Sequence, residues 1–315
     1  MNVITVIFRH LLYLLIISWV LFLIFNLLPG DSASFVLGVE ASPETLHALQ
    51  QQMGLDLPIL ERYVYWLAHF FVGNWGFSYI TQSSVAALIG DKILVSFLLA
   101  LYAMIIALII SLPLSILSAA KVGKVGGHLV NIWGHITLSI PSFWLGFMLI
   151  IFFSFDWGIF PASASLTGKD GFINGLYKFF LPAMALAIPQ SSAILKLLRA
   201  SLIATQKQAY IVTAKSKGLS DIQILYRHRL VNALPAVVTN MGGQFSLLLV
   251  GGIIVENLFR IPGIGRQLLS SVEQRDIPVI QAILMVLVAM TLIANFLSAL
   301  CNHWIDPRPS HMLEK

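Results

Sequence analysis

Six blocks of apolar residues, each long enough to cross a bilayer, leave this chain few options besides a membrane bundle. They cover roughly 9–28, 94–120, 128–155, 180–203, 231–255 and 279–304. About 20 apolar residues in a helix span the roughly 30 Å hydrocarbon core. Lipid cannot satisfy an open backbone, so such blocks must be helical. The charge content agrees: 10% of the residues are charged, against about 25% in a soluble domain. The expected fold is an all-α integral membrane protein with six transmembrane helices. The first block follows a short segment, Met1 to His10, and runs into Leu28-Pro29-Gly30-Asp31 without a small-residue cleavage pattern. It is therefore expected to stay as an N-terminal transmembrane helix over 1–30.

The basic residues set the orientation. With the N-terminus inside, Arg9, Lys121, Lys124, Lys196, Arg199, Lys207, Lys215, Lys217, Arg227, Arg229, Arg308 and Lys315 fall on the inner side, and of the acids only Asp221, Asp306 and Glu314 do. The outer side holds the other bases and most acids, so it is net negative. A formal charge of +5 then reflects topology and calls for no nucleic-acid partner. Both termini are expected in the cytoplasm. Segment 31–90 is external, with a helix capped by Ser42, and its aromatic stretch Tyr63 to Phe71 with Trp75 suits the membrane interface. One cysteine, Cys301, excludes a disulfide framework and is read as a packed thiol.

The most informative connection is the inner one, 204–230. Gly218 is placed to end a short helix in the left-handed region, which costs glycine little. Lys215 and Lys217 precede it, where cations suit the helix dipole. Ser220 and Gln223 form a capping box for a second helix, with Leu219 and Ile224 at the staple positions. The reading is a rigid helix–turn–helix elbow pressed against the cytoplasmic face. A plain connector between spans is the alternative.

The elbow resembles the EAA loop of type I ATP-binding-cassette importer permeases, in the form found in the peptide/nickel permease family. The matching residues are Tyr210, Thr213, Ala214, Lys217, Gly218, Leu219, Arg227, His228, Leu230, Asn232, Ala233 and Leu234. The acid that names the motif is absent, and Val212 stands in its place. Leu28 to Asp31, Met53 to Pro58, Trp75-Gly76-Phe77-Ser78, Ser139 to Trp144, Val255 to Gly265, Arg275 to Val279 and Asp306-Pro307-Arg308 also resemble family segments, in family order. The resemblance implies a type I permease bundle with a cytoplasmic coupling helix. Its type 1 transmembrane domain of five helices would occupy 91–303, with a cytoplasmic tail at 304–315. It implies ATPase coupling through Tyr210, Thr213, Ala214, Lys217, Gly218, Leu219 and Ser220. It also implies a second permease subunit, two ATP-binding subunits that hold ATP and Mg, an external substrate-binding protein, and a bacterial inner membrane around the bundle. The solute would be a peptide or a nickel or metal–metallophore complex, with a lean to the latter from Asp276 to Gln281.

Polar residues inside spans are candidates for the solute path. Asn240 and Gln244 share a helix face in the fifth span, and His135, Ser139 and Ser142 lie in the third. Hydrogen bonding between helices is the alternative for each. The Gly242-Gly243 and Gly251-Gly252 pairs suit close packing, and Pro141 should kink its span. Glu256, Arg260 and Arg266, where the fifth span emerges, could meet an external protein or pair with one another at the surface. The eight histidines are scattered, so no metal site is expected. No phosphate-binding loop of the G-x-x-x-x-G-K-[ST] type occurs, so any ATPase is a separate chain and this one is not an enzyme. An ion-coupled transporter would need buried mid-membrane acids, which no block carries centrally. A membrane scaffold without transport is the third reading.

Overall fold

The computed structural model describes residues 3–27, 44, 45, 47, 56–120, 125–164 and 171–305. Its helices are α1 (Val3–Leu27), α2 (Ile59–Phe71), α3 (Val85–Ala120), α4 (Val125–Ser139), α5 (Ser142–Leu149), α6 (Phe172–Gln206), α7 (Ala209–Ser216), α8 (Asp221–Ile224), α9 (Val231–Leu258), α10 (Ile264–Glu273) and α11 (Ile277–Ile305). Wider π-helical turns extend α5 over Ile150–Asp156 and join α8 to α9 over Leu225–Leu230. Among the described residues the only β feature is one bridge, Phe77 to Ser84. The Ser42 cap, the Leu28 to Asp31 and Asp306 to Arg308 strings and the first half of Met53 to Pro58 lie outside the described residues.

Five stretches are long and apolar enough to cross a membrane, and α4 with α5 makes a sixth if the pair is one span. That pair is bent by 98°, a break where the sequence led us to expect a kink. Pro141 has φ −63° and ψ 137° and lacks an N–H. The Ile140 N–H falls back on the Thr137 carbonyl at 3.4 Å, and a new helix opens with Leu145 N–H on the Pro141 carbonyl at 3.1 Å. The helices also overrun the apolar blocks. α3 begins inside the segment assigned to the external loop, and Asp221–Leu258 forms one 38-residue stretch.

The core lies where α3, α6 and α9 meet. Leu99, Ala103 and Ala107 of α3 pack with Leu186, Ile194, Leu198 and Leu202 of α6 and Leu248 of α9. Small side chains bring the backbones close, since packing rather than water expulsion holds helices together in lipid. Gly242 of α9 is the tightest approach to α11: a Cβ there would sit 2.5 Å from the Asn295 Cα. A Gly242→Val variant should part the two helices and cost more than the usual 1–3 kcal/mol of overpacking, because backbone must move. Gly243 has nothing within 4 Å, so Gly243→Ala should be close to neutral. Detergent thermal melts of the two variants check this; equal melting points would contradict it.

α1 lies against α11 with most of its surface outward. α2 clasps α1: the Tyr63 and Ser18 hydroxyls are 2.8 Å apart, and Arg62 Nη2 donates to Asn26 Oδ1 at 2.6 Å. Trp19 meets the Tyr63 ring edge-on at 4.7 Å. Of the aromatic stretch, Tyr63 and Trp66 thus pack on the first span, while Tyr65 and Phe71 are exposed. Cys301, expected to be packed, is exposed on α11.

Candidate functional site

The elbow is built as its residues require. Gly218 has φ +78°. Its N–H donates to the Lys215 carbonyl at 2.9 Å, and the Leu219 N–H donates to the Ala214 carbonyl at 3.3 Å. Those are the two bonds of a Schellman ending, with the left-handed residue at the position glycine favours. Ser220 then starts α8. The Gln223 N–H donates to Ser220 Oγ at 3.4 Å, and the Ser220 N–H donates back to Gln223 Oε1 at 3.0 Å. Ile211, Ala214 and Ile224 close over the turn, with Leu219 packed on them. The elbow therefore has a small core of its own.

Its exit is pinned to the bundle. Arg229, nearly buried, donates from Nη2 to the Leu202 carbonyl of α6 at 2.9 Å. Past Ser220 no joint separates elbow from span, because α8 runs through the π turn into α9. A push on the elbow therefore reaches α9 along one continuous helix and α6 through Arg229. Of the expected coupling residues, Ala214 is buried and stiffens the elbow rather than facing outward. Thr213, Lys217 and Ser220 are exposed, and Tyr210 is 37% exposed. Val212, Ile222 and Tyr226 are exposed at 63%, 70% and 56%. Ile222 and Tyr226 escaped the sequence reading, although apolar side chains in a polar connection were the available signal.

The in-span polar residues do not converge. Gln244 of α9 accepts a hydrogen bond from Gln190 Nε2 of α6, a helix-to-helix bond whose α6 partner the sequence reading missed. Asn240 is exposed and donates to the Ala236 carbonyl of its own helix at 3.2 Å. His135 and Ser139 are exposed on α4, where Ser139 Oγ donates to the His135 carbonyl at 3.0 Å. Ser142, half-buried at the start of α5, faces Gly251 of α9.

At the end of the bundle away from the elbow, the expected surface cluster is something else. Glu256 is buried, not paired at the surface with Arg260 or Arg266. Its carboxylate accepts the Gly265 N–H at 2.8 Å, the Arg266 N–H at 3.1 Å and the Ser96 hydroxyl at 2.5 Å. Ser96 Oγ in turn accepts the Ile264 N–H at 2.8 Å. Glu256 and Ser96 thus cap α10 from two other helices, supplying the acceptors that a helix start needs. Gly263 and Gly265 leave room for the carboxylate, since a Cβ would lie 2.3 Å and 2.9 Å from Oε2. Arg260 and Arg266 are exposed, and Arg266 Nη1 donates to the Arg260 carbonyl at 3.2 Å. Nearby, buried Asp276 accepts the Ser78 hydroxyl at 2.5 Å and the Tyr79 N–H at 3.1 Å. This ties the loop after α2 to the start of α11.

Comparison with known proteins fits this arrangement. Residues 111–311 match the model of the family described as binding-protein-dependent transport system inner membrane component, and residues 2–100 match its N-terminal companion. A putative peptide transport system permease protein of Brucella abortus is 34% identical over 303 residues, covering 94% of each chain. A glutathione transport system permease protein of Escherichia coli is 34% identical over 269 residues, covering 85% of each.

Proposed function

The chain belongs to the binding-protein-dependent transport system inner membrane component family, and we propose that its elbow is the handle by which a separate ATPase drives it. As a type I ATP-binding-cassette importer permease of the peptide family, it is a multi-pass protein of the bacterial inner membrane and a transport component rather than an enzyme. The elbow and both termini face the cytoplasm in this reading, as the distribution of Lys and Arg supports. A second permease completes the path. Two ATP-binding subunits grip the elbows and supply the ATP and Mg chemistry, and an external binding protein delivers the solute. The names of the relatives favour a peptide-class solute, glutathione among them, over the nickel or metallophore lean.

The observation that carries the reading is mechanical: residues 208–226 form a capped, cored unit that runs on into α9, and Arg229, just past it, is bonded to α6. ATP closes the motor pair, the elbows move, and the bundle opens outward; hydrolysis resets it. Val212, Ile222 and Tyr226 give the motor apolar contacts where the family's acid is missing. The test is uptake by vesicles holding the permease pair, its ATPases and the binding protein. ATP-dependent accumulation of a short peptide is expected. Uptake that follows an ion gradient without ATP would point to the ion-coupled alternative, and an absence of both to a scaffold.

A further inference from the structure

We propose that His135 and Lys196 form a binding site for the phosphate of an acidic phospholipid in the leaflet on the elbow side. The Lys196 ammonium of α6 lies 3.2 Å from His135 Nδ1 of α4. An ammonium can only donate, so Nδ1 accepts and the imidazole proton stands on Nε2. The pair thus turns N–H donors outward, the complement of an oxyanion. The lysine stem runs beside α4: a Cβ on Gly134 would lie 3.9 Å from Lys196 Cε, an ordinary contact.

Among the described residues, α4, α5 and α6 contain no Asp or Glu; α3 has only Asp91, near its start, the turn that extends α5 has Asp156 at its far end, and α9 has only Glu256, capping α10 away from the elbow. Arg199, one turn further along α6, is occupied by Ser118 Oγ at 2.7 Å.

The depth fits a headgroup. At 1.5 Å per residue, Lys196 lies about 15 Å before the end of α6 and His135 about 15 Å after the start of α4. The two helices run in opposite directions, so both residues reach one level. α6, at 35 residues, is about 52 Å long, well beyond a core of roughly 30 Å. Its uncharged run from Phe179 ends at Leu195, which puts Lys196 at the hydrocarbon boundary. Exposed Ile132, Ile136 and Leu138 on α4 offer acyl chains a surface beside the cation. Basic side chains between helices at this level suit anionic headgroups.

The test is native mass spectrometry of the purified importer after exchange into phosphatidylcholine nanodiscs containing phosphatidylglycerol. The wild type should retain phosphatidylglycerol, Lys196→Gln and His135→Ala should hold it at least tenfold more weakly, and Lys196→Arg should keep it. Lys207→Gln, at the exposed end of α6, is the charge control. Retention unchanged in Lys196→Gln, or lost equally in Lys207→Gln, overturns the site. A second arm uses vesicles of phosphatidylcholine alone. If Lys196→Gln still cuts solute uptake tenfold there, the anion belongs to the solute and the lipid assignment is wrong. A wild type that shows no ATP-dependent uptake would count against the proposed function and leave the lipid measurement standing.

Discussion

In a Glu256→Ala variant, the Gly265 and Arg266 amides are expected to exchange with deuterium about a hundredfold faster than in the wild type. A carboxylate offers only acceptors, and here it meets only donors: two backbone N–H groups and the Ser96 hydroxyl. A hydrogen bond to a charged group contributes about 1.5–3 kcal/mol, and a buried donor left without a partner costs about 1–3 kcal/mol. The three share one acceptor, so their losses do not add. A total of about 3 kcal/mol is expected, and 1.4 kcal/mol per tenfold gives the hundredfold. Glu256→Gln separates this from mere loss of volume. Its amide oxygen can keep the two backbone donors, while its NH2 meets a Ser96 Oγ that already accepts from Ile264. Exchange should then rise only about tenfold. If the three proteins exchanged these amides at one rate, α10 would not depend on the carboxylate.

Ser96 and Glu256 also show where sequence reading stops. Gly218, Ser220 and Gln223 were legible because each acts within a few residues, and their bonds form as the local pattern demands. Leu219 and Ile224 were legible for the same reason. Gly242 announced close packing, though not its partner, Asn295. Glu256 was misread because an acid at the end of a span, followed by Arg260 and Arg266, looks like a surface cluster. Its burial follows from Ser96, which the chain brings back from another helix. The Ser78–Asp276 contact has the same cause. Its two ends belong to separate strings, Trp75 to Ser78 and Arg275 to Val279, and nothing local says that they meet. Pro141 told of an interruption but not of its size, since a proline fixes what the helix loses and the neighbours decide the angle. Lys196 was read as part of the inner charge layer and His135 as a path residue, and nothing local says that the two meet.

A Gly218→Val importer is expected to keep hydrolysing ATP while its uptake falls at least tenfold. Gly218 sits at φ +78°, and a Cβ there would find nothing within 4 Å. The penalty is therefore conformational and not steric crowding by neighbours. The left-handed region costs an ordinary residue roughly 1–2 kcal/mol, and a β-branched one fares worse. What opposes it is small. A capping residue contributes about 1 kcal/mol, and the elbow's own core holds only Ile211, Ala214 and Ile224. A penalty near 2 kcal/mol shifts a two-state balance about thirtyfold, enough to leave the Schellman ending unformed much of the time. The α8–α9 helix would then lose its fixed angle to α7, and movement of the motor would be spent in the joint. Gly218→Asn is the discriminating companion, because asparagine tolerates the left-handed region. It should restore most of the uptake. Normal uptake by Gly218→Val, or equal loss in both variants, would mean that the turn's backbone geometry is not what carries the stroke.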